Sequence, residues 1–282
     1  MGKVAPLKKD TYVHFLSQEL ISPREPAHIV LIGAGGTGSV ILSGLARINA
    51  SLLALGHPGL MVHVCDGDVV SEPNIGRQLF ARSDLGKNKA TVLVTRANSF
   101  FGFAWRSFPF MVEAGFINKG TEQIPLVITA VDNVRARRIV AEEFREKCIY
   151  FLDTGNGKDH GQCILGTFAE VKQPRRQGLQ AVSYLPTVFD LYPNLEDQED
   201  RKDQGPSCSL ADALKAQDLF INQQVATAAL KLIWSGLRKG KLTVSGYFIN
   251  FEAPASERVL PIDPAGYRAM GWRGRDNRVV AA

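Results

Sequence analysis

Short apolar runs recur along this chain, and longer stretches with a different period separate them. The runs are His28–Ile32, Met61–Cys65, Leu126–Thr129 and Ile149–Leu152. Runs this short, closed by glycine, aspartate or asparagine, predict buried strands. Between them, Ser39–Leu55, Asn88–Asn98 and Val134–Cys148 are longer and predict helices. Two further strands are expected at Ala104–Val112 and Gln162–Val171. Strand and helix in alternation argue for an α/β fold whose mainly parallel sheet is covered by helices on both faces. The pattern changes after Lys172. Residues 172–207 are polar and rich in Pro, Asp and Gln, and a connection of that length is either functional or disordered. A helix over Asp212–Leu237 and a hairpin of Leu242–Phe251 with Arg258–Ile262 would then complete the same domain. The expected organisation is a lead-in over 1–26 with one helix, a core over 27–171, a crossover loop over 172–207, a C-terminal helix and β-hairpin extension over 208–262, and an irregular tail over 263–282.

Composition narrows the class without naming a chemistry. The 282 residues suffice for one large domain or two small ones, and 45% hydrophobic with 22% charged residues is ordinary for a globular protein. The formal net charge is only +5, and the basic clusters at Arg135–Arg138 and Lys172–Arg176 read as solvated faces. No nucleic-acid partner is expected. The four cysteines, Cys65, Cys148, Cys163 and Cys208, lack metal-ligand spacing, so no zinc site is expected. Sparse cysteines, no apolar signal core and no run near the roughly 18 residues of a span predict a cytoplasmic protein without a membrane partner.

The most specific stretch runs from His28 to Gln78. The run His28–Ile32 leads into Gly33-Ala34-Gly35-Gly36-Thr37-Gly38, which opens the first predicted helix. A helix N-terminus leaves backbone N–H groups unpaired and carries partial positive charge, and glycines let an anion approach closely. Gly33, Gly35 and Gly38 satisfy the dinucleotide fingerprint of a Rossmann-like fold, with Gly36 beside them. The second run ends at Asp66-Gly67-Asp68, further along than the usual spacing of about 20 residues for a ribose-binding acid. Asn74, Arg77 and Gln78 follow, then Lys89 in Gly86-Lys87-Asn88-Lys89. Arg77 can clamp a phosphate through two N–H groups, and Lys89 can reach one as a point charge. Either residue alone reads as a surface cation. Downstream of the glycine loop, together, they point to a triphosphate.

Two further candidates lie outside that stretch. Asp132 and Asn133 end the run Leu126–Ala130, where ligands of open α/β sheets bind. A carboxylate there can hold Mg²⁺ alongside substrate phosphates, or it can cap the next helix. Cys208, between the polar segment and a helix, is a candidate nucleophile, with a packed cysteine as the alternative. The other three cysteines are expected in the core. The histidines His14, His28, His57, His63 and His160 do not cluster, and no histidine catalyst is expected.

Together these motifs resemble the ThiF/MoeB/HesA branch of the ubiquitin-activating enzyme superfamily. The resemblance covers about His28 to Val171, through the glycine loop, Asp66-Gly67-Asp68, Asn74-Ile75-Gly76-Arg77-Gln78, Gly86-Lys87-Asn88-Lys89, Asp132-Asn133-Val134 with Arg137, and Gly161-Gln162. Within the branch, the cysteine placement and the small extent beyond the core look like the ThiF-related proteins of the PRTRC plasmid-type cassette. The resemblance implies binding of ATP and Mg²⁺ and adenylation of the C-terminal glycine carboxylate of a small ubiquitin-like or sulfur-carrier protein. It implies that Gly35 and Gly36 approach the phosphates, Asp66 holds the ribose, Asn74, Arg77 and Lys89 bind the triphosphate, and Asp132 holds Mg²⁺. Asp68, Gln78 and Asn133 would complete the nucleotide site. Some relatives carry a cysteine near the position of Cys208 that takes over the acyl group. Many relatives also carry two CxxC pairs and an N-terminal Arg-Tyr-x-Arg-Gln helix. This chain has neither, and Arg24 is a poor substitute for the arginine that helix lends across a dimer. A homodimer is nevertheless implied. The competing readings are a nicotinamide-dependent oxidoreductase on the same fingerprint and a non-catalytic nucleotide-binding scaffold.

Overall fold

The computed structural model describes residues 12–113, 124–195, 217–252 and 254–274. Its centre is an eight-stranded sheet built from β2 (Ala27–Ile32), β3 (Leu60–Cys65), β4 (Arg106–Phe108), β5 (Ile124–Thr129), β6 (Cys148–Asn156), β7 (His160–Thr167), β10 (Val244–Asn250) and β11 (Ser256–Pro261). The spatial order is β11-β10-β7-β6-β5-β2-β3-β4. The five strands from β6 to β4 are mutually parallel. From β6 outward, β7, β10 and β11 pair antiparallel. The expected mainly parallel, Rossmann-like sheet is therefore present, and the C-terminal hairpin extends it rather than standing apart. A small second sheet pairs β1 (Tyr12–Phe15) in parallel with β8 (Gln180–Ala181) and antiparallel with β9 (Lys241–Leu242).

Alternate side chains of the buried strands serve two cores, as the pleat requires. Ile29 and Leu31 of β2 join Val62, Val64 and Ile128 beneath α2 (Gly36–Ala54), α3 (Lys89–Phe101) and α6 (Ile221–Lys239). Val30 and Ile32 join Val127, Phe151 and Ile164 beneath α4 (Val134–Phe144), α5 (Val188–Leu191) and α7 (Pro264–Ala269). Helix α2 is apolar and long enough, by composition, to cross a membrane. Here 11 of its residues are buried, and it packs against α6 so closely that a Cβ on Gly44 would overlap Leu230. That is the apolar character of a core helix.

Several element boundaries differ from the sequence expectation. Helix α2 starts at Gly36, not Ser39, because the glycine turn itself supplies its first turn, with Gly35 as N-cap. The strand expected over Ala104–Val112 shrinks to Arg106–Phe108, since Trp105 is buried with its indole N–H donating to the Leu60 carbonyl. Helix α4 ends at Phe144, so Cys148 opens β6 instead of closing a helix. Strand β6 runs to Asn156 because its polar residues Asp153 and Thr154 find buried partners. Helix α6 runs from Ile221 after a turn over 217–220, and the part of the expected helix before residue 217 lies outside the described residues. The lead-in carries strand β1 as well as the short helix α1 (Gln18–Ile21). Residues 172–195 do not form a solvated loop: Val182, Leu185, Val188 and Leu191 are buried, and β8 and α5 lie within them. The tail is not irregular throughout, for Asp263 caps α7 and Tyr267 is buried with its hydroxyl on Ser245.

Candidate active site

The glycine loop between β2 and α2 is held from three sides. Gly33 has φ +93°, a conformation that favours glycine, and a Cβ there would lie 2.5 Å from the Ala130 carbonyl oxygen. A Cβ on Gly38 would overlap the carbonyl oxygen of Gly33. These two glycines let the turn close on itself and on the end of β5. Gly35 and Gly36 instead face the cleft, where a Cβ on Gly36 would press on the Asn222 amide at 2.8 Å and one on Gly35 would meet Gln78 only at 3.9 Å.

Asp66 fastens this loop. Its Oδ2 accepts the Ala34 N–H at 2.6 Å, and its Oδ1 accepts the Asp68 N–H at 2.8 Å. Burial pushes its carboxyl pKa up, against the pull of those two N–H groups and of the Lys89 charge. Asn88 caps α3 by accepting the Thr91 N–H, and its amide donates to the carbonyls of Asp66 at 2.7 Å and Asp68 at 3.1 Å. Lys89, expected as either a surface lysine or a phosphate ligand, is only 7% exposed, and its Nζ lies 2.8 Å from Asp68 Oδ2.

The segment Asn74–Gln78 folds over this base because Gly76 turns it with φ +85°. Asn74 is buried, and its Oδ1 accepts from the Ser71 N–H at 2.9 Å and the Ser71 hydroxyl at 3.1 Å. Arg77 is half-buried, and its Nη1 donates to Gln217 Oε1 at 3.0 Å. Burial lowers the guanidinium pKa, and the Asp132 charge works against that shift. Arg77 Nε and Gln78 Oε1 are buried without a hydrogen-bond partner among the described residues. Buried polar atoms left unpaired are uncommon and mark places where a ligand or water completes the bonding.

Asp132 and Asn133 sit at the C-terminal end of β5, and the two take different roles. Asn133 is the N-cap of α4, accepting the Ala136 N–H at 2.7 Å. Asp132 is exposed and stands close enough to Arg77 to stabilise its charge. Behind it, Arg137 is buried, with Nε donating to the Val131 carbonyl at 3.3 Å and Nη1 lying 3.8 Å from Asp153 Oδ2. Asp153 Oδ1 accepts the Thr129 hydroxyl at 2.8 Å, and burial raises its carboxyl pKa against the Arg137 charge.

Gly33, Gly35, Gly36, Gly38, Asp66, Asp68, Asn74, Arg77, Gln78, Lys89, Asp132 and Asn133 thus gather along the C-terminal edge of the parallel strands, as ligand sites of this architecture do. Cys208 lies outside the described residues. Cys65, Cys148 and Cys163 are buried, and burial raises the thiol pKa of all three, to about 12 for Cys65 and Cys163. Among the described residues, no three His, Cys, Asp or Glu side chains form a metal-binding group.

Thr37, Asp153, Asn156, Gln217 and Asn222 also reach this site and were not expected from sequence. Asn156 lies in a glycine-rich stretch at the end of β6, which is a local signal of its role, whereas Asn222 stands beside Gln223 and Gln224 in the first turn of α6 and gives none. The histidine expectation also needs correction. His28 and His63 meet across β2 and β3, with Nδ1 and Nε2 3.3 Å apart, because the parallel register sets Val30 against His63. Burial, His28 and Arg106 lower the His63 pKa to about 4.

Residues 14–265 match the ThiF family. No curated protein matches the sequence significantly. Among solved structures, the chain is similar to PaaA, at 14% identity and TM-score 0.57, over 87% of this chain and 75% of that one. It is also similar to MccB of E. coli, at 14% identity and TM-score 0.55, over 94% of this chain and 66% of MccB. A second MccB structure, with MccA present, gives 15% identity and TM-score 0.53, over 88% of this chain and 66% of that one. The chain thus spans about two thirds of MccB. At such identities the likeness is one of fold.

Proposed function

The chain belongs to the ThiF family of E1-like adenylating enzymes, and from that membership we propose that it activates the C-terminal glycine carboxylate of a small ubiquitin-like or sulfur-carrier protein with ATP and Mg²⁺. The observation that carries the reading is the cleft between the glycine loop and Arg77. It combines the N-terminus of α2, which has no side-chain cap, a guanidinium with a buried unpaired Nε, and an exposed carboxylate at the strand end. An extended polyphosphate with a bound cation matches those three features together.

In the proposed reaction the partner's carboxylate oxygen attacks the α-phosphorus of ATP. An O–P bond forms, the α–β phosphoanhydride bond breaks, and its electron pair leaves with pyrophosphate. The nucleophile is already ionised at neutral pH, so no side chain has to take a proton. The residues therefore act by placement and charge. Gly35 and Gly36 present backbone N–H groups to the phosphates. Arg77, with Lys89 beside Asp68, opposes the charge of the triphosphate. Asp66 holds the ribose while it anchors the loop, and Asn74 and Gln78 close the nucleotide's other side. Asp132 would hold Mg²⁺, and the carboxylate fits that role because Asn133 has taken the helix cap. When bound, the ion supplies charge neutralisation for the phosphates and the departing pyrophosphate.

Transfer of the acyl group to Cys208, in which a thioester C–S bond forms, the acyl C–O bond to the phosphate breaks, AMP leaves and the thiol proton passes to solvent, and assembly as a homodimer belong to the same proposal. MccB, solved with MccA, supports a second polypeptide as the substrate class. The test is ATP–pyrophosphate exchange with Mg²⁺ across a panel of small ubiquitin-like proteins ending in glycine. Exchange that depends on one such protein supports the reading. ATP binding without exchange across the panel overturns it in favour of a scaffold, and protection from heat by NAD instead of ATP overturns it in favour of an oxidoreductase. Cys208→Ala should leave exchange intact and abolish any reducible acyl adduct.

A further inference from the structure

A chain of neutral side chains joins the two phosphate-facing parts of the cleft. Thr37, in the first turn of α2, donates from Oγ1 to Asn222 Oδ1 at 3.0 Å and lies 3.3 Å from Asn156 Oδ1. Asn222 Nδ2 donates to Gln217 Oε1 at 2.7 Å. The same oxygen accepts Arg77 Nη1 at 3.0 Å. Gln217 Nε2 completes the chain by donating to the Gly157 carbonyl at 3.2 Å. Asn222 is buried and packs on Gly36 with no space for a Cβ between them.

Two properties of this chain bear on nucleotide binding. It spans from the glycine loop to Arg77 through α6, so the separation of those two elements is set by side chains belonging to neither. Its links are amides. An amide oxygen accepts one guanidinium N–H without adding negative charge to that of Asp132, whereas a carboxylate at position 217 would pair with Arg77 directly. The arrangement orients an arginine without consuming its charge.

Resting on the ATP reading above, we propose that Gln217 and Asn222 are positioning residues that fix Arg77 relative to the glycine loop and so determine the site's preference for ATP over AMP. Neither touches the reacting atoms. Gln217 acts through Arg77, and Asn222 acts through Gln217 and the first turn of α2.

The experiment is a double-mutant cycle between positions 77 and 217, read as the dissociation constants of ATP and AMP on the full chain, with melting temperature as the check on folding. Gln217→Glu should weaken ATP binding about tenfold, as expected when a charge-assisted contact is redirected from phosphate to a carboxylate. Its AMP affinity should stay within about twofold, inside the scatter of independent sites. In an Arg77→Ala background the same substitution should leave ATP affinity nearly unchanged, because the residue through which it acts is gone. Gln217→Ala, which adds no charge, should cost less than Gln217→Glu, and it serves in its place if the carboxylate variant does not fold. Equal losses from Gln217→Glu in both backgrounds, or equal weakening of ATP and AMP, would overturn the proposal and leave Gln217 a structural residue. Wild-type protein that binds no ATP overturns this inference and the reading beneath it. Protein that binds ATP but shows no pyrophosphate exchange overturns only the acyl-activation reading, since the cycle is read from binding.

Discussion

The floor and the rim of the cleft are built differently. On the floor, formed by Gly33, Gly38, Asp66 and Asn88, the polar groups are engaged within the protein. Both Asp66 oxygens accept backbone N–H groups, and the Asn88 amide caps a helix with one end and binds two carbonyls with the other. On the rim, formed by Arg77, Gln78 and Asp132, bonding is incomplete or the carboxylate faces solvent. A closed hydrogen-bond network rigidifies, while a buried donor or acceptor without a partner costs stability and is retained where something else completes it. The division suggests a fixed seat for the nucleotide and a rim whose charges act only when it arrives. It also implies that substitutions on the two sides should fail differently.

The largest expected effect belongs to the rim. Asp132→Ala should lower partner-dependent pyrophosphate exchange about 10²–10³-fold, the scale seen when one electrostatic contact to a developing charge is removed. Because Asp132 is exposed and does not cap α4, the melting temperature should hardly move. Exchange at the wild-type rate would remove Asp132 from the metal role; a collapse of stability would place it on the floor. Gly38→Ala is the opposite case. Its new Cβ meets backbone, not a flexible side chain, so at least the ~1–3 kcal/mol of an overpacked site should be lost. Denaturant unfolding would measure it, and a variant as stable as wild type but inactive would erase the distinction between seat and rim.

Sequence patterning reached the residues of the floor and of the rim but not the side chains that link them, and the reason is range. Strands β2, β3 and β5 and helices α2 and α3 follow from local apolar runs, a glycine turn and an Asn cap, each written within a few residues. Asp66 and Lys89 could be placed because β3 and α3 are themselves local. Gln217 and Asn222 meet Arg77 and Thr37 across 140 and 185 residues, and nothing near them in sequence signals that contact. Asp153 resembles a strand terminator until the Thr129 hydroxyl is seen to donate to it and Arg137 to lie beside it inside β6. The histidine pair failed for another reason. His28 and His63 were both placed on strands, but their meeting depends on parallel register, which composition does not reveal.

The contrast extends to a polar network remote from the cleft. His14 is fully buried; its Nδ1 lies 2.6 Å from the Val182 carbonyl oxygen and its Nε2 3.0 Å from the Tyr150 hydroxyl. Burial lowers its pKa from 6.5 to about 4 despite the carbonyl. The folded state therefore binds fewer protons than the unfolded chain between those values, and stability must fall as pH drops through that window. At pH 5 the loss relative to pH 8 should be about 2 kcal/mol from this residue. His14→Gln should reduce the pH dependence of the urea midpoint between pH 5 and 8, leaving the part that His63, depressed over the same window, contributes. An unchanged slope would mean that another group carries it.

The smallest effect tests the floor itself. Asn88 joins α3 to the end of β3 through one side chain: its oxygen caps α3, whose first residue is Lys89, and its amide N–H groups bind the Asp66 and Asp68 carbonyls. Asn88→Ala removes both functions and should cost about 1 kcal/mol, the usual effect of a lost cap. Asn88→Ser keeps an oxygen for the Thr91 N–H but cannot reproduce both donated bonds, so its recovery isolates the cap from the staple. If the seat merely holds shape, the KM for ATP should move by less than about threefold in either variant, the size of a small fraction of one hydrogen bond. A tenfold rise in KM at unchanged stability would show that the floor also orients the nucleotide, through the acidic pair that Asn88 holds beside Lys89.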